Sequence, residues 1–147
     1  MQTHPKHDED FYGWAMATAN LLKQKQYQEV DMDSIIEELE EMGISNKHEL
    51  INRLSLVISH LLKWQFQANM RSHSWVYTIS EQRQQLRDIL EDSPSLKNKI
   101  EASLVRAYNI GVLKAAKETG MHKKDFPSQN FYTFEQILDT EFYPNTK

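Results

Sequence analysis

Apolar residues recur at helical spacing along nearly the whole chain, and this regularity confines it to one fold class. Phe11, Trp14, Ala15, Thr18, Leu21 and Leu22 fall on one face of a first predicted helix. Ile35, Leu39 and Met42 mark a short second one, and Leu50, Leu54, Val57, Ile58, Leu61 and Gln65 stripe a long third, over roughly residues 46–68. Trp75, Ile79, Gln82, Leu86, Ile89 and Leu90 define a fourth, and Leu96, Ile100, Ser103, Ala107 and Gly111 a fifth. A sixth, short helix follows Tyr132. No stretch alternates with the period of two that a half-buried strand needs. Four glycines and four prolines leave little material for a turn-rich β architecture. The expectation is an all-α fold: an antiparallel four-helix bundle with two additional short helices.

Local chemistry sets the predicted boundaries. Asp8 or Asp10 can cap the first helix, because a short side-chain oxygen accepts from the free backbone N–H groups there. Ser34-x-x-Glu37 reads as a capping box for the second helix, and Gly43 suits the left-handed residue at its end. Ser45 is the expected cap of the third helix, and Ser72 or Ser74 that of the fourth. Ser93-Pro94 opens the fifth and Gly120 closes it, while Thr133-x-x-Gln136 forms a further capping box. Ser103, Ala107 and Gly111 are spaced by four, which makes a groove where a neighbouring helix can come close. The expected domain is a single bundle over residues 8–145, with frayed termini at 1–7 and 144–147.

Composition excludes several chemistries. With no cysteine there is no disulfide, thiolate metal site or cysteine nucleophile. No apolar run approaches the roughly 20 residues of a membrane span, and no signal-peptide pattern follows Met1, so a cytoplasmic protein without membrane contact is expected. The formal charge of −4 argues against nucleic-acid binding, which rests on lysine and arginine contacts to phosphate. The chain holds no Glu-x-x-His pair, no H-E-x-x-H, no P-loop and no Gly-x-Ser-x-Gly, so neither metal nor cofactor is expected.

The charges divide unevenly. Glu29 to Glu49 holds eight acids and Lys47 as its one lysine or arginine, whereas Leu50 to Ser80 holds no acid and carries Arg53, His60, Lys63, Arg71, His73 and two tryptophans, Trp64 and Trp75. On a helical wheel Arg53, His60 and Trp64 form a strip on the shoulder of the third helix. Glu38 is the acid nearest the apolar face of the second, and Gln82 lies inside the apolar stripe of the fourth with Arg83 at its margin. A buried glutamine without partners costs on the order of 1–3 kcal/mol, so Glu38, Arg53, His60, Gln82 and Arg83 are natural members of a partly buried polar network. The alternative is a small-molecule or anion site, possibly enzymatic, around His60, Lys63, Arg71, Trp75 and Arg83. In that case Arg71 grips a phosphate or carboxylate at the start of the fourth helix.

The run His60-Leu61-Leu62-Lys63-Trp64, then Ser74-Trp75, Arg83, Pro94-Ser95-Leu96 and Glu118-Thr119-Gly120, resembles an uncharacterised family, domain of unknown function 29. Asp10-Phe11-Tyr12-Gly13-Trp14, Asp31 through Glu37-Glu38 to Gly43, Tyr108, Phe126-Pro127, Tyr132 and Phe142-Tyr143-Pro144 fit it too, over about residues 8–145. The family is mainly cyanobacterial. The resemblance implies a small helical bundle in a cytosolic bacterial protein and implies no activity. The leading expectation is a non-enzymatic interaction module, with a protein partner or a second copy of the chain to bind.

Overall fold

A computed structural model describes residues 4–145, and all regular structure among them is helical. Four long helices are α1 (Phe11–Lys23), α2 (Met32–Phe66), α3 (His73–Asp92) and α4 (Ile100–Thr119); α5 (Phe134–Leu138) is short. The chain divides into two compact units, Met1–Ile44 and Ser45–Lys147. α2 begins in the first and ends in the second.

Asp10 caps α1 by accepting from the Gly13 N–H at 2.9 Å. Ser72 caps α3 through the Trp75 N–H, Gly120 ends α4 at φ 77°, and Thr133 and Gln136 form the expected capping box of α5. Two boundaries differ from the sequence reading. The short second and long third helices are one 35-residue helix, with Gly43 and Ser45 in its interior. A glycine favours a helix end only where the backbone turns left-handed, and the sole glycine with positive φ is Gly120. Ser34 is not the cap either. Asp31 stands before the helix and accepts from the Ser34 N–H at 3.2 Å and its hydroxyl at 2.7 Å. A further difference lies at Pro94, which opens a 3₁₀ segment (Pro94–Lys99) that leads into α4.

In the first unit Trp14, Thr18 and Leu21 of α1 turn inward. The N-terminal segment was expected to fray. Residues 1–3 lie outside the described residues, but His7 is held firmly: its ring meets Trp14 edge-on at 4.6 Å and Phe11 at 5.5 Å. At the other terminus Pro144 is buried, while 146–147 lie outside the described residues.

The second unit holds the main core. Leu50, Leu54, Val57, Ile58, Leu61 and Leu62 of α2 meet Ile79 and Leu86 of α3, Ala107, Tyr108, Val112 and Ala115 of α4, and Phe126, Tyr132 and Ile137 from the C-terminal segment. The small-residue groove does what its spacing suggested. At Gly111 an added Cβ would lie 2.9 Å from Ile58 Cγ2 and 3.1 Å from the Ser55 carbonyl oxygen, so α4 sits directly on the α2 backbone.

Candidate functional site

The candidate residues fold into separate clusters. A charge pair with one deeply buried member joins α2 to α4. Lys63 is almost wholly enclosed, and its ammonium donates to Glu118, a half-exposed acid near the end of α4. The same ammonium lies 5.0 Å from the centre of the Trp75 ring and 3.4 Å from His60 Nε2. His60 Nδ1 faces the Leu56 carbonyl oxygen at 2.9 Å, which can only accept, so Nδ1 carries the proton and Nε2 offers its lone pair to Lys63. Burial lowers the His60 pKa, the Leu56 bond raises it, and Lys63 lowers it further; the sum is below the ordinary value. Lys63 in turn pulls the Glu118 carboxyl below its usual range. The arrangement is a neutral imidazole beside a compensated ammonium.

Arg71 lies with its guanidinium 4.6 Å from the centre of the Trp64 ring, and its Nε donates to the Trp64 carbonyl oxygen at 2.9 Å. Trp64 also meets Tyr143 at 4.8 Å. The turn between α2 and α3 is thereby stapled to the helix before it.

Arg83 was expected at the margin of the apolar stripe, in a polar network with Glu38, Arg53, His60 and Gln82, and it lies at the centre of a clamp on main-chain oxygens. It is only 1% exposed. Its Nε donates to the Ile137 carbonyl oxygen at 2.7 Å, and Nη2 donates to Gln136 at 3.1 Å and Phe142 at 2.8 Å. Nη1 has no hydrogen-bond partner among the described residues, and the guanidinium carbon stands 5.5 Å from the Tyr143 ring centre. Burial is the main cause that lowers its pKa. Three main-chain oxygens, two of them in α5, thus hold a cation to which no carboxylate among the described residues is bound. Arg87, one turn on, donates to the Leu138 oxygen.

Arg53 and Gln82 form a pair at 3.1 Å, which gives the buried glutamine its partner, and Arg53 also approaches Glu49 at 3.8 Å. Glu38 takes a different partner within the first unit. Its Oε1 lies 2.5 Å from His7 Nε2, while His7 Nδ1 lies 2.9 Å from Asp8. With a carboxylate on each nitrogen the ring is held as an imidazolium, and its pKa is raised to about 9, first by the Glu38 bond. A cavity of about 560 Å³ adjoins it, lined by Trp14, Thr18, Leu21 and Asp31 among others.

Sequence reasoning missed Glu118 as the counter-charge of Lys63 and His7 as the partner of Glu38. Neither follows from helical spacing, because each pair joins elements far apart in sequence. Tyr132, whose hydroxyl donates to buried Gln65 at 2.8 Å, was noticed only as part of a motif. Among the described residues no three His, Asp or Glu side chains gather to hold a metal ion, and no helix is long and apolar enough to cross a membrane.

A family model described as Domain of unknown function DUF29 matches residues 7–143. No curated protein matches the chain, and no solved structure does.

Proposed function

We propose, starting from a chain that belongs to the DUF29 family and inherits no activity from it, that this protein is a non-enzymatic helical interaction module. The observation that carries the reading is an unpartnered apolar stripe on the first turns of α2. Met32 is 48% exposed, Ile36 45%, Leu39 61% and Met42 62%, and the four recur at helical spacing on one side. Tyr12, Met16 and Tyr27 of the same unit are exposed as well. Monomers rarely leave a large contiguous apolar surface in water, and such patches mark docking faces. Asp33, Glu37, Glu40 and Glu41 border the stripe. Self-pairing along it sets like charges near one another, so a partner with an apolar groove and a basic rim fits better than a second copy.

The alternative, an anion site around His60, Arg71 and Trp75, has less support. Lys63 is compensated by Glu118, and Arg71 is stacked on Trp64 and bonded to its carbonyl oxygen.

The test compares the wild type with a Leu39→Glu, Met42→Glu variant. Both positions are exposed, so the substitution leaves the core intact. Light scattering after size-exclusion chromatography reads self-association, and capture from a native bacterial lysate reads other partners. The expected result is a partner bound by the wild type and lost in the variant. Binding indifferent to both substitutions, or no partner and a strict monomer, overturns the reading.

A further inference from the structure

The geometry points to a second docking site, in the Ser45–Lys147 unit: a groove along α4 that takes an extended peptide segment of a partner protein, acidic at one end and basic at the other. It is independent of the α2 stripe.

Two cavities line the outer side of α4. One, of about 850 Å³, reaches from Ile100 and Glu101 to Asn109, and the other, of about 730 Å³, from Tyr108 to Val112 and on to residues 122–128. They share Tyr108, Asn109 and Ser128, so they adjoin there, and we take the pair as one trough along α4. From Glu101 to Val112 the helix rises roughly 16 Å, the span of about five residues of extended chain. The floor is apolar: Leu104, Tyr108, Val112, Phe126 and Phe134. Tyr108 is fixed there because its hydroxyl donates to the Pro127 carbonyl oxygen at 2.5 Å.

The wall opposite α4 supplies main-chain partners. Residues 128–130 are in no helix, and none of their backbone N–H or C=O groups bonds to another described residue. The Asn109 side chain is exposed on α4 and lines both cavities. These main-chain groups are open to solvent, so the N–H and C=O groups of a guest peptide laid beside this wall can bond to them. Alternate side chains of the guest then face the apolar floor.

The ends of the trough carry opposite charge. His122, Lys123 and Lys124 rim one end, and the neighbouring Asp125 carboxylate is turned to the His122 N–H at 3.0 Å. Glu101 and Glu135 rim the other end, together with Lys97. A uniformly charged guest is repelled at one end, which selects a segment of two unlike poles and fixes its direction.

The experiment uses the full chain and an array of nine-residue peptides. Each has an Asp-Glu pole, a Lys-Lys pole and a middle in which Leu, Val, Phe or Tyr alternates with Ser or Thr. A parallel set has Ser in place of every charge. The expected result is a subset of two-poled peptides bound in fluorescence polarisation, better than their neutral counterparts. A Lys123→Glu, Lys124→Glu variant, whose substitutions are on exposed side chains, weakens them by about five- to tenfold, consistent with two surface ion pairs lost. Peptides basic at both ends gain affinity for that variant by a similar factor. Equal binding of charged and neutral sets, no binding in either, or indifference to the variant overturns the proposal. Retained binding by the Leu39→Glu, Met42→Glu variant separates this site from the α2 stripe.

Discussion

Replacing a helix-interior glycine with alanine ordinarily stabilises a protein by about 1 kcal/mol, because glycine leaves the unfolded chain more freedom. Here the same change is expected to act with opposite sign at two positions. At Gly43 an added Cβ meets nothing within 4 Å, so Gly43→Ala gains the full increment. At Gly111 the Cβ would come 2.9 Å from Ile58 Cγ2, 3.2 Å from Ile58 Cβ and 3.1 Å from the Ser55 carbonyl oxygen. Carbon atoms settle at roughly 3.5–4.0 Å, so the side chain must shift and the two helices must separate by a few tenths of an ångström. The Ser55 oxygen is main chain and yields only if α2 itself moves. Overpacking of this kind costs about 1–3 kcal/mol, against a gain of about 1, which leaves a net loss on the order of 1 kcal/mol. In a chain of this size that is roughly 3–5 °C in Tm. Urea unfolding of both variants reads the difference. Because Gly43 lies in the first unit and Gly111 in the second, Trp14 emission in a Trp64→Phe, Trp75→Phe background reads Gly43→Ala, and Trp64 and Trp75 emission in a Trp14→Phe background reads Gly111→Ala. A Gly111→Ala variant stabilised as much as Gly43→Ala would refute the close approach of α4 to α2.

The remaining predictions concern the charged clusters. Glu118→Gln strands the enclosed Lys63 ammonium and should destabilise by about 1–3 kcal/mol, less than for a fully buried pair because Glu118 is half exposed. Lys63→Met keeps the apolar stem and should be near neutral in the same denaturation assay; a larger loss for Lys63→Met than for Glu118→Gln contradicts the assignment. An NMR titration of the histidine rings should place His60 below 6.5 and His7 near 9. The signs follow by linkage. His60 has a lowered folded pKa, so its contribution is complete above 6.5 and declines as pH falls below it; the lowered Glu118 pKa acts the same way, from about 4.5 downward. His7 has a raised folded pKa, so its contribution is complete below 6.5 and disappears as pH rises through about 9. Glu38→Gln should return His7 toward 6.5, and an unchanged His7 titration would rule out the ion pair. Arg83→Met should orphan the carbonyl oxygens of Gln136, Ile137 and Phe142, costing about 3 kcal/mol or more and exposing residues 133–145 to rapid amide exchange; unchanged exchange there would dismiss the clamp.

What was legible in the sequence was local. Helical period, the caps Asp10, Ser72 and Thr133, the stop at Gly120 and the small-residue groove through Gly111 all depend on residues within a few turns of one another, and they place the all-α architecture. The break expected at Gly43 failed because glycine permits a helix end without imposing one, and no proline or left-handed residue follows it before Ser45. The same limit applies to the candidate site. The wheel put Gln82 inside the stripe of its helix and Arg53 on the shoulder of another, since each angle is fixed by its own helix, but did not show the bond between them. It had no means to pair Lys63 with Glu118, Glu38 with His7, or Arg83 with the oxygens of α5.

The sequence alone therefore determined which segments are helices, which faces are apolar, and where acids and bases concentrate. The tertiary structure alone decided which apolar faces are covered. By pattern the face of Ile35, Leu39 and Met42 is as good a core stripe as any, yet Leu39 and Met42 remain in water and Ile35 is only half-buried, while the stripe from Leu50 to Leu62 is sealed. The reason is that hydrophobic periodicity specifies a side of a helix and carries no information about what lies opposite it. Whether that side becomes core or docking surface depends on contacts between residues remote in the chain, or on another protein altogether.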